Sequence, residues 1–237
     1  MIFLSICLAL AAVVLYVQSP EQLIYSSHPL PVYALLFVAA IAAWRGKPGR
    51  GRIALLVIVA TLVAAIFYVH SVRSSTSGGS LNIAVGDRFP EASLPTSTGA
   101  TFSTTELRGR SAALFLFYRG DWCPFCRTEL SALNDYYGRL RTAGVELFAV
   151  SVDPPDVSEK LRERLGVPFT FLADTDGSLL DVLGIRHRGG HAGEDIAYPA
   201  QILVDRDGIV RWTFRADSYR QRAHPDEILE AIAALAG

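Results

Sequence analysis

Two of the chain's three cysteines stand three positions apart, in Phe117-Tyr-Arg-Gly-Asp-Trp-Cys-Pro-Phe-Cys126. A thiol attacks only as its thiolate, and a helix N-terminus or a nearby cation lowers its pKa from about 8.5. An apolar run, Ala112 to Tyr118, precedes the pair and a helix-like pattern follows it. With Cys123 at the N-cap of that helix, Cys126 shares its face one turn on. The two sulfurs are then within disulfide reach with little backbone movement. Unpartnered backbone N–H groups and the positive end of the helix dipole both favour a Cys123 thiolate. Pro124 falls at the first helical position, where its missing N–H costs nothing. Arg119 and Arg127 add positive potential, and Asp121 opposes it. Cys126, deeper in the helix, stays a thiol until it attacks. This supports nucleophile-and-resolver chemistry: Cys123 attacks an oxidised sulfur or a peroxide, and Cys126 displaces the product as a Cys123–Cys126 disulfide.

Other uses of the pair fit less well. A purely structural disulfide over so short a loop would constrain the unfolded chain little. Half a zinc site needs two further ligands, for which only His187, His191 and His224 are on offer, Cys7 lying in an apolar run. Asp174-Thr-Asp-Gly177 opens like a calcium loop but lacks the downstream Glu, and it reads as a turn. No resident metal and no cofactor is expected. A net charge of −1 gives no reason to expect nucleic acid.

The elements that must hold the dithiol lie in the last two thirds of the chain. The 51% of hydrophobic residues is concentrated before residue 70. There, residues 2–19, 30–44 and 53–70 read as three transmembrane helices within a membrane region, 1–70. Apolar runs of about 15 to 17 residues reach roughly 22 to 26 Å, a little short of the ~30 Å bilayer core. Tyr16, Tyr33, Trp44 and Tyr68 suit the interface. The loop Arg45 to Arg52 carries four positive charges and no negative one, so it is expected to stay inside and to leave everything after His70 outside. Residues 71–80 (SVRSSTSGGS) form a Ser/Gly-rich linker, and 81–237 is the size of one domain. In it, Ala112–Tyr118 and Val145–Val152 read as buried strands. Glu129–Ala143, Pro155–Leu165, Ser178–Leu183 and Pro225–Leu235 read as helices. Phe169–Ala173 reads as a short strand, and Ala200–Asp205 and Ile209–Phe214 flank the turn Asp205-Arg-Asp-Gly208. Arg186 to Gly193 reads as a basic, Gly-rich loop overhanging the dithiol. The order implies a mixed sheet covered on both faces.

Trp-Cys-Pro-Phe-Cys at a strand–helix junction resembles the thioredoxin superfamily. Val85-Gly-Asp-Arg-Phe-Pro90, the apolar strand and Pro199-Ala-Gln-Ile-Leu-Val-Asp205 resemble its redoxin branch. That branch includes peroxiredoxins of the alkyl hydroperoxide reductase/thiol-specific antioxidant type and membrane-anchored thiol–disulfide oxidoreductases. Phe117 to Cys123 is especially similar to bacterial peroxiredoxin-like proteins, and the resemblance spans roughly residues 83 to 236. It implies an α/β thioredoxin-like fold, a mixed central sheet with helices on both faces. It also implies a thiol oxidoreductase acting on protein disulfides or small peroxides, re-reduced by a thiol or a membrane electron donor. Pro199 would be a cis-proline facing the cysteines and exposing the backbone of Tyr198 to a partner, with Trp122 shaping the site. One departure is clear: the Pro and Thr that peroxiredoxins carry seven and three residues before the reactive cysteine are Leu116 and Gly120 here. Arg119 or Arg215 would have to stand in for the family's peroxide-activating Arg. An alternative from another class is a copper chaperone using the dithiol plus His187 or His191.

Overall fold

The computed structural model describes residues 2–18, 24–25, 29–45, 49–69, 72 and 80–236. Contacts divide the chain into two units, Met1–Ser75 and Thr76–Gly237. The first holds three apolar helices: α1 (Ile2–Gln18), α2 (Leu30–Trp44) and α3 (Arg50–Tyr68). Helix α3 starts three residues before the apolar run does, taking in Arg50 and Arg52; the Arg52 guanidinium lies 4.3 Å from the centroid of the Trp44 ring. Among the described residues, α3 alone, with 19 residues, is long and apolar enough to cross a membrane by length and composition; α1 and α2 are shorter apolar helices. Ser5 Oγ donates to the Ala39 carbonyl at 2.6 Å and ties α1 to α2. Most of the 71–80 linker, residues 46–48 of the basic loop and most of the loop between α1 and α2 lie outside the described residues.

The second unit is built from β1 (Ser93–Pro95), β2 (Thr101–Ser103), β3 (Ala112–Phe117), α4 (Pro124–Thr142), β4 (Val145–Ser151), α5 (Pro155–Leu165), β5 (Thr170–Ala173), α6 (Ser178–Leu183), β6 (Arg186–His191), β7 (Glu194–Ala197), β8 (Ala200–Val204), β9 (Val210–Arg215) and α7 (Pro225–Ala233). A five-stranded sheet runs β5-β4-β3-β8-β9. β3, β4 and β5 are mutually parallel, while β8 and β9 are antiparallel to their neighbours.

β3 is apolar at every position because both of its faces are covered. Ala113, Phe115 and Phe117 join a core with α6, and Leu114, Leu116 and Tyr118 join a core with α4, α5 and α7. Phe115 stacks between Phe89 and Phe148, with ring centroids 4.4 and 5.3 Å away. The strand therefore delivers the residues that follow it from a rigid base. Asp174 is a turn residue, as its sequence suggests: its buried carboxylate accepts the N–H groups of Leu179 and Leu180 at the start of α6.

Residues 186–197 differ from the expected loop. They form the antiparallel hairpin β6–β7, without the apolar alternation that announces a strand. The hairpin is held instead by charge: Arg186 reaches Asp195 on the facing strand and Asp181 on α6, both at 2.7 Å. Gly189 N–H adds a bond of 2.8 Å to the Asp195 carboxylate.

Candidate active site

Cys123 is the N-cap of α4, in extended conformation (φ −78°, ψ 111°), with Pro124 at the first helical position. Its Sγ accepts the Cys126 N–H at 3.3 Å, so a sulfur does the work usually given to a Ser or Asp oxygen. Both cysteines are free thiols and both are fully buried. The two are made unequal by their surroundings. A hydrogen bond from the Cys126 thiol brings Cys123 down to about 6; burial works against this, and the Arg222 guanidinium, the Cys126 N–H and Arg119 work with it. Cys126 is pushed well up, first by burial and then by the hydrogen bond it gives Cys123.

Beneath the pair lies a charged network that the sequence did not announce. Arg222, from the segment between β9 and α7, is buried and places Nη2 3.3 Å from Cys126 Sγ. Its Nε donates to Glu129, and its Nη1 donates to the carbonyls of Tyr219 and Gln221 at 3.0 and 2.7 Å. Glu129 sits one turn beyond Cys126 on α4, and Gln201 of β8 donates to it at 2.6 Å. Burial raises the Glu129 carboxyl, while Arg222 and Gln201 pull it down. Two of these residues left a signal. Glu129 interrupts the apolar stripe Cys126, Leu130, Leu133, and Gln201 interrupts the apolar strand Ala200 to Val204. Arg222 left none, because its partner is 96 positions away.

The rim is aromatic and cationic. The Trp122 indole stacks on His191 of the β6–β7 hairpin, with centroids 3.5 Å apart and planes at 11°. Arg119 lies over the rings of Trp122 and Tyr219, 4.8 and 4.7 Å from their centroids, so it is no free surface charge. The hairpin's second histidine, His187, stacks on Tyr198, and Arg215 lies over that same ring. Phe117 pairs with Ala200 across the sheet, which brings Tyr198 and Pro199 to the dithiol's end of β8.

The expected cis bond at Pro199 is absent: no described peptide bond is cis. Here the chain is extended, tied on one side by Tyr198 N–H to the Ile185 carbonyl (2.7 Å) and on the other by Ala216 N–H to the Pro199 carbonyl (3.1 Å). The Tyr198 N–H is thus engaged within the domain rather than offered to a partner strand. With both imidazoles against aromatic rings, no group of three His, Cys, Asp or Glu residues is placed to hold a metal ion among the described residues.

The absence of a Thr before the cysteines is built into the backbone. Gly120 has φ +154°, and a Cβ there would lie 2.5 Å from Trp122 Nε1 and 3.2 Å from Asp153 Oδ1. No L side chain fits without displacing the indole. Leu116, at the other departing position, is a fully buried core residue.

Comparison with known proteins fits this picture. The AhpC/TSA family model matches residues 85–213. The chain is 29% identical over 133 residues to the putative peroxiredoxin bcp of Coxiella burnetii, covering 55% of this chain and 87% of that protein. It is 30% identical over 156 residues to the thiol-disulfide oxidoreductase ResA of Geobacillus thermodenitrificans, covering 65% of this chain and 82% of that protein. In fold it is similar to the peroxidoxin BcpB of Mycobacterium tuberculosis, with TM-score 0.58 and 21% identity over 65% of this chain and 98% of that one. A peroxiredoxin-like protein from Aquifex aeolicus gives TM-score 0.59 at 21% identity over 68% of this chain and 92% of that one. The fold of the second unit is therefore thioredoxin-like.

Gly120→Thr tests whether the family's threonine can simply be restored. The substitution is expected to lower stability by about 1–3 kcal/mol through overpacking, measured by denaturant unfolding, without faster peroxide consumption. A stable variant with faster peroxide turnover would contradict the steric account.

Proposed function

The chain belongs to the AhpC/TSA family, and from that premise we propose a dithiol–disulfide reductase in which Cys123 is the nucleophile and Cys126 the resolving thiol. That it is a thiol-dependent oxidoreductase follows from the family and from relatives of both peroxiredoxin and thiol–disulfide oxidoreductase type. The observation that carries the finer reading is the inequality of the two sulfurs. One is drawn down to about 6 at a helix N-terminus, and the other is held protonated one turn along.

In the first step the Cys123 thiolate attacks one sulfur of a substrate disulfide, forming a mixed disulfide and expelling the other sulfur as a thiolate. In the second, Cys126 loses its proton and attacks the Cys123 sulfur. The Cys123–Cys126 bond forms, the remaining substrate thiolate leaves, and the protein has given up two electrons. An external thiol or a membrane electron donor must return them. Arg222 faces both sulfurs and stabilises whichever carries the negative charge. Peroxide is the lesser substrate in this reading, because Gly120 leaves no hydroxyl where the family orients it.

The first unit supports a membrane anchor. Large apolar side chains point outward from all three helices, among them Phe3, Leu30, Phe37 and Ile53, each more than 60% exposed. In water such a surface would be costly; in a bilayer it is matched. With the basic loop inside, the redoxin domain lies on the extracytoplasmic face of the cell membrane.

Trapping tests the chemistry. Cys126→Ser is expected to accumulate mixed disulfides with protein substrates on non-reducing gels, whereas Cys123→Ser traps none and wild type few. Equal trapping by both variants would sink the assignment of roles. For topology, a C-terminal alkaline phosphatase fusion is expected to be active, and an inactive fusion would place the domain inside.

A further inference from the structure

A partly buried acid, Asp153, stands beside the loop that carries the dithiol. Asp153 lies two residues beyond β4, and its Oδ2 accepts the Asp121 N–H at 3.0 Å. Its Oδ1 is 3.2 Å from the point that a Gly120 Cβ would occupy, a point also 2.5 Å from Trp122 Nε1. The backbone N–H of Asp153 donates to Ser151 Oγ at 3.1 Å. The nearby hydroxyls of Ser151 and Tyr118 favour its ionised form. Tyr118 in turn meets Ser158 of α5 at 3.3 Å, and Tyr118, Ser151 and Ser158 are all fully buried.

The loop so held touches the nucleophile. The Gly120 carbonyl accepts the Cys123 N–H at 3.1 Å. Its last residue, Trp122, carries the hairpin through the stack on His191. Asp153 therefore acts on the dithiol through one loop of four residues, Arg119 to Trp122.

A carboxylate is an expensive acceptor in this place. Burial pushes the Asp153 carboxyl up to about 6, and the Asp121 carboxylate adds to the rise; the Ser151, Asp121 N–H and Tyr118 donors oppose it. For an acid raised in the folded state, the stabilising contribution is present in full below the ordinary carboxylate range. It is lost as pH rises through about 6. At neutral pH the domain thus holds an ionised Asp153 at a cost in stability. An amide would accept the Asp121 N–H without that cost. Strongly shifted acids at a cleft are more often kept for function than for the fold.

We propose that Asp153 is a positioning residue for the dithiol: its ionised carboxylate fixes the Arg119–Trp122 loop, and its protonation releases that loop. The charge holds the Asp121 N–H, and a proton on the carboxylate weakens that hold. The groups facing Asp153 are Asp121 and Trp122 of the loop, Tyr118 beyond β3 and Ser151 of β4. Arg164 of α5 stands behind Asp121 at 3.9 Å. This inference rests on the dithiol reading above.

The test uses full-length protein carrying Cys7→Ser, reduced and then mixed with dithiodipyridine across pH 5 to 8. Attack by Cys123 releases one pyridinethione; closure by Cys126 releases the second. Cys123 is already covalently bound during closure, so its own titration does not enter that rate. The closure rate of wild type relative to Asp153→Asn is expected to fall about tenfold from pH 7 to pH 5, following the ionised fraction of a group titrating near 6. Asp153→Glu should restore the dependence, and Asp153→Asn should raise the thermal midpoint at pH 8. Two pyridinethiones released with a ratio that is flat in pH would overturn the role of Asp153 and leave the dithiol reading standing. No release by wild type would overturn both.

Discussion

One guanidinium, that of Arg222, is buried between a carboxylate and a pair of sulfurs. Taking a charge out of water costs several kcal/mol even after relaxation, so everything around it must compensate. Glu129 neutralises it, two backbone carbonyls accept from its Nη1, Gln201 donates to Glu129, and the sulfurs sit in the field that is left. Apolar replacements for a buried ion pair are often as stable or more so. The pair is therefore poorly explained as a device for stability. It is well explained as a fixed positive potential under a group that must ionise.

The fold is what makes that potential available. β3 is packed on both faces and ends at Phe117, followed by the buried Tyr118, so the next four residues start from a rigid point. β8 lies against β3 with Leu116 opposite Gln201, which puts the amide under α4 beside Glu129. Cys123 caps α4, and Cys126 follows one turn in. The hairpin β6–β7 then closes the site from outside by aromatic stacking, His191 on Trp122 and His187 on Tyr198. Both sulfurs are fully buried beneath this rim.

What could be read from the sequence was local. The cap at Cys123 and the proline at N1 follow from a spacing of three residues. The helices Pro155–Leu165 and Ser178–Leu183 have the ends expected of them, because Gly166 and Gly184 terminate them in left-handed conformation. The strands Ala112–Phe117 and Val145–Ser151 were legible as apolar runs. The apolar period of α4 is legible only from Glu129 onward, and its start follows from the cap at Cys123 instead. The 186–197 hairpin was missed because cross-strand charge holds it. The Pro199 bond is not cis, and the flanking Tyr198 N–H and Pro199 carbonyl are hydrogen-bonded to Ile185 and Ala216, which no local pattern announces. Arg222 was out of reach of any local pattern, since nothing in Tyr219 to His224 announces a partner 96 residues upstream.

The central claim is that the hydrogen bond from Cys126, with this buried cation and the helix N-terminus, keeps one of two adjacent thiols ionised at neutral pH. Ultraviolet titration of thiolate in the reduced protein, wild type beside Arg222→Met, measures it directly. The account predicts one thiol titrating near pH 6 in wild type, moving upward when the guanidinium is removed, and a second that stays protonated beyond the ordinary thiol range. Two thiols titrating together in the ordinary range of about 8.5, unmoved by the loss of Arg222, would contradict it.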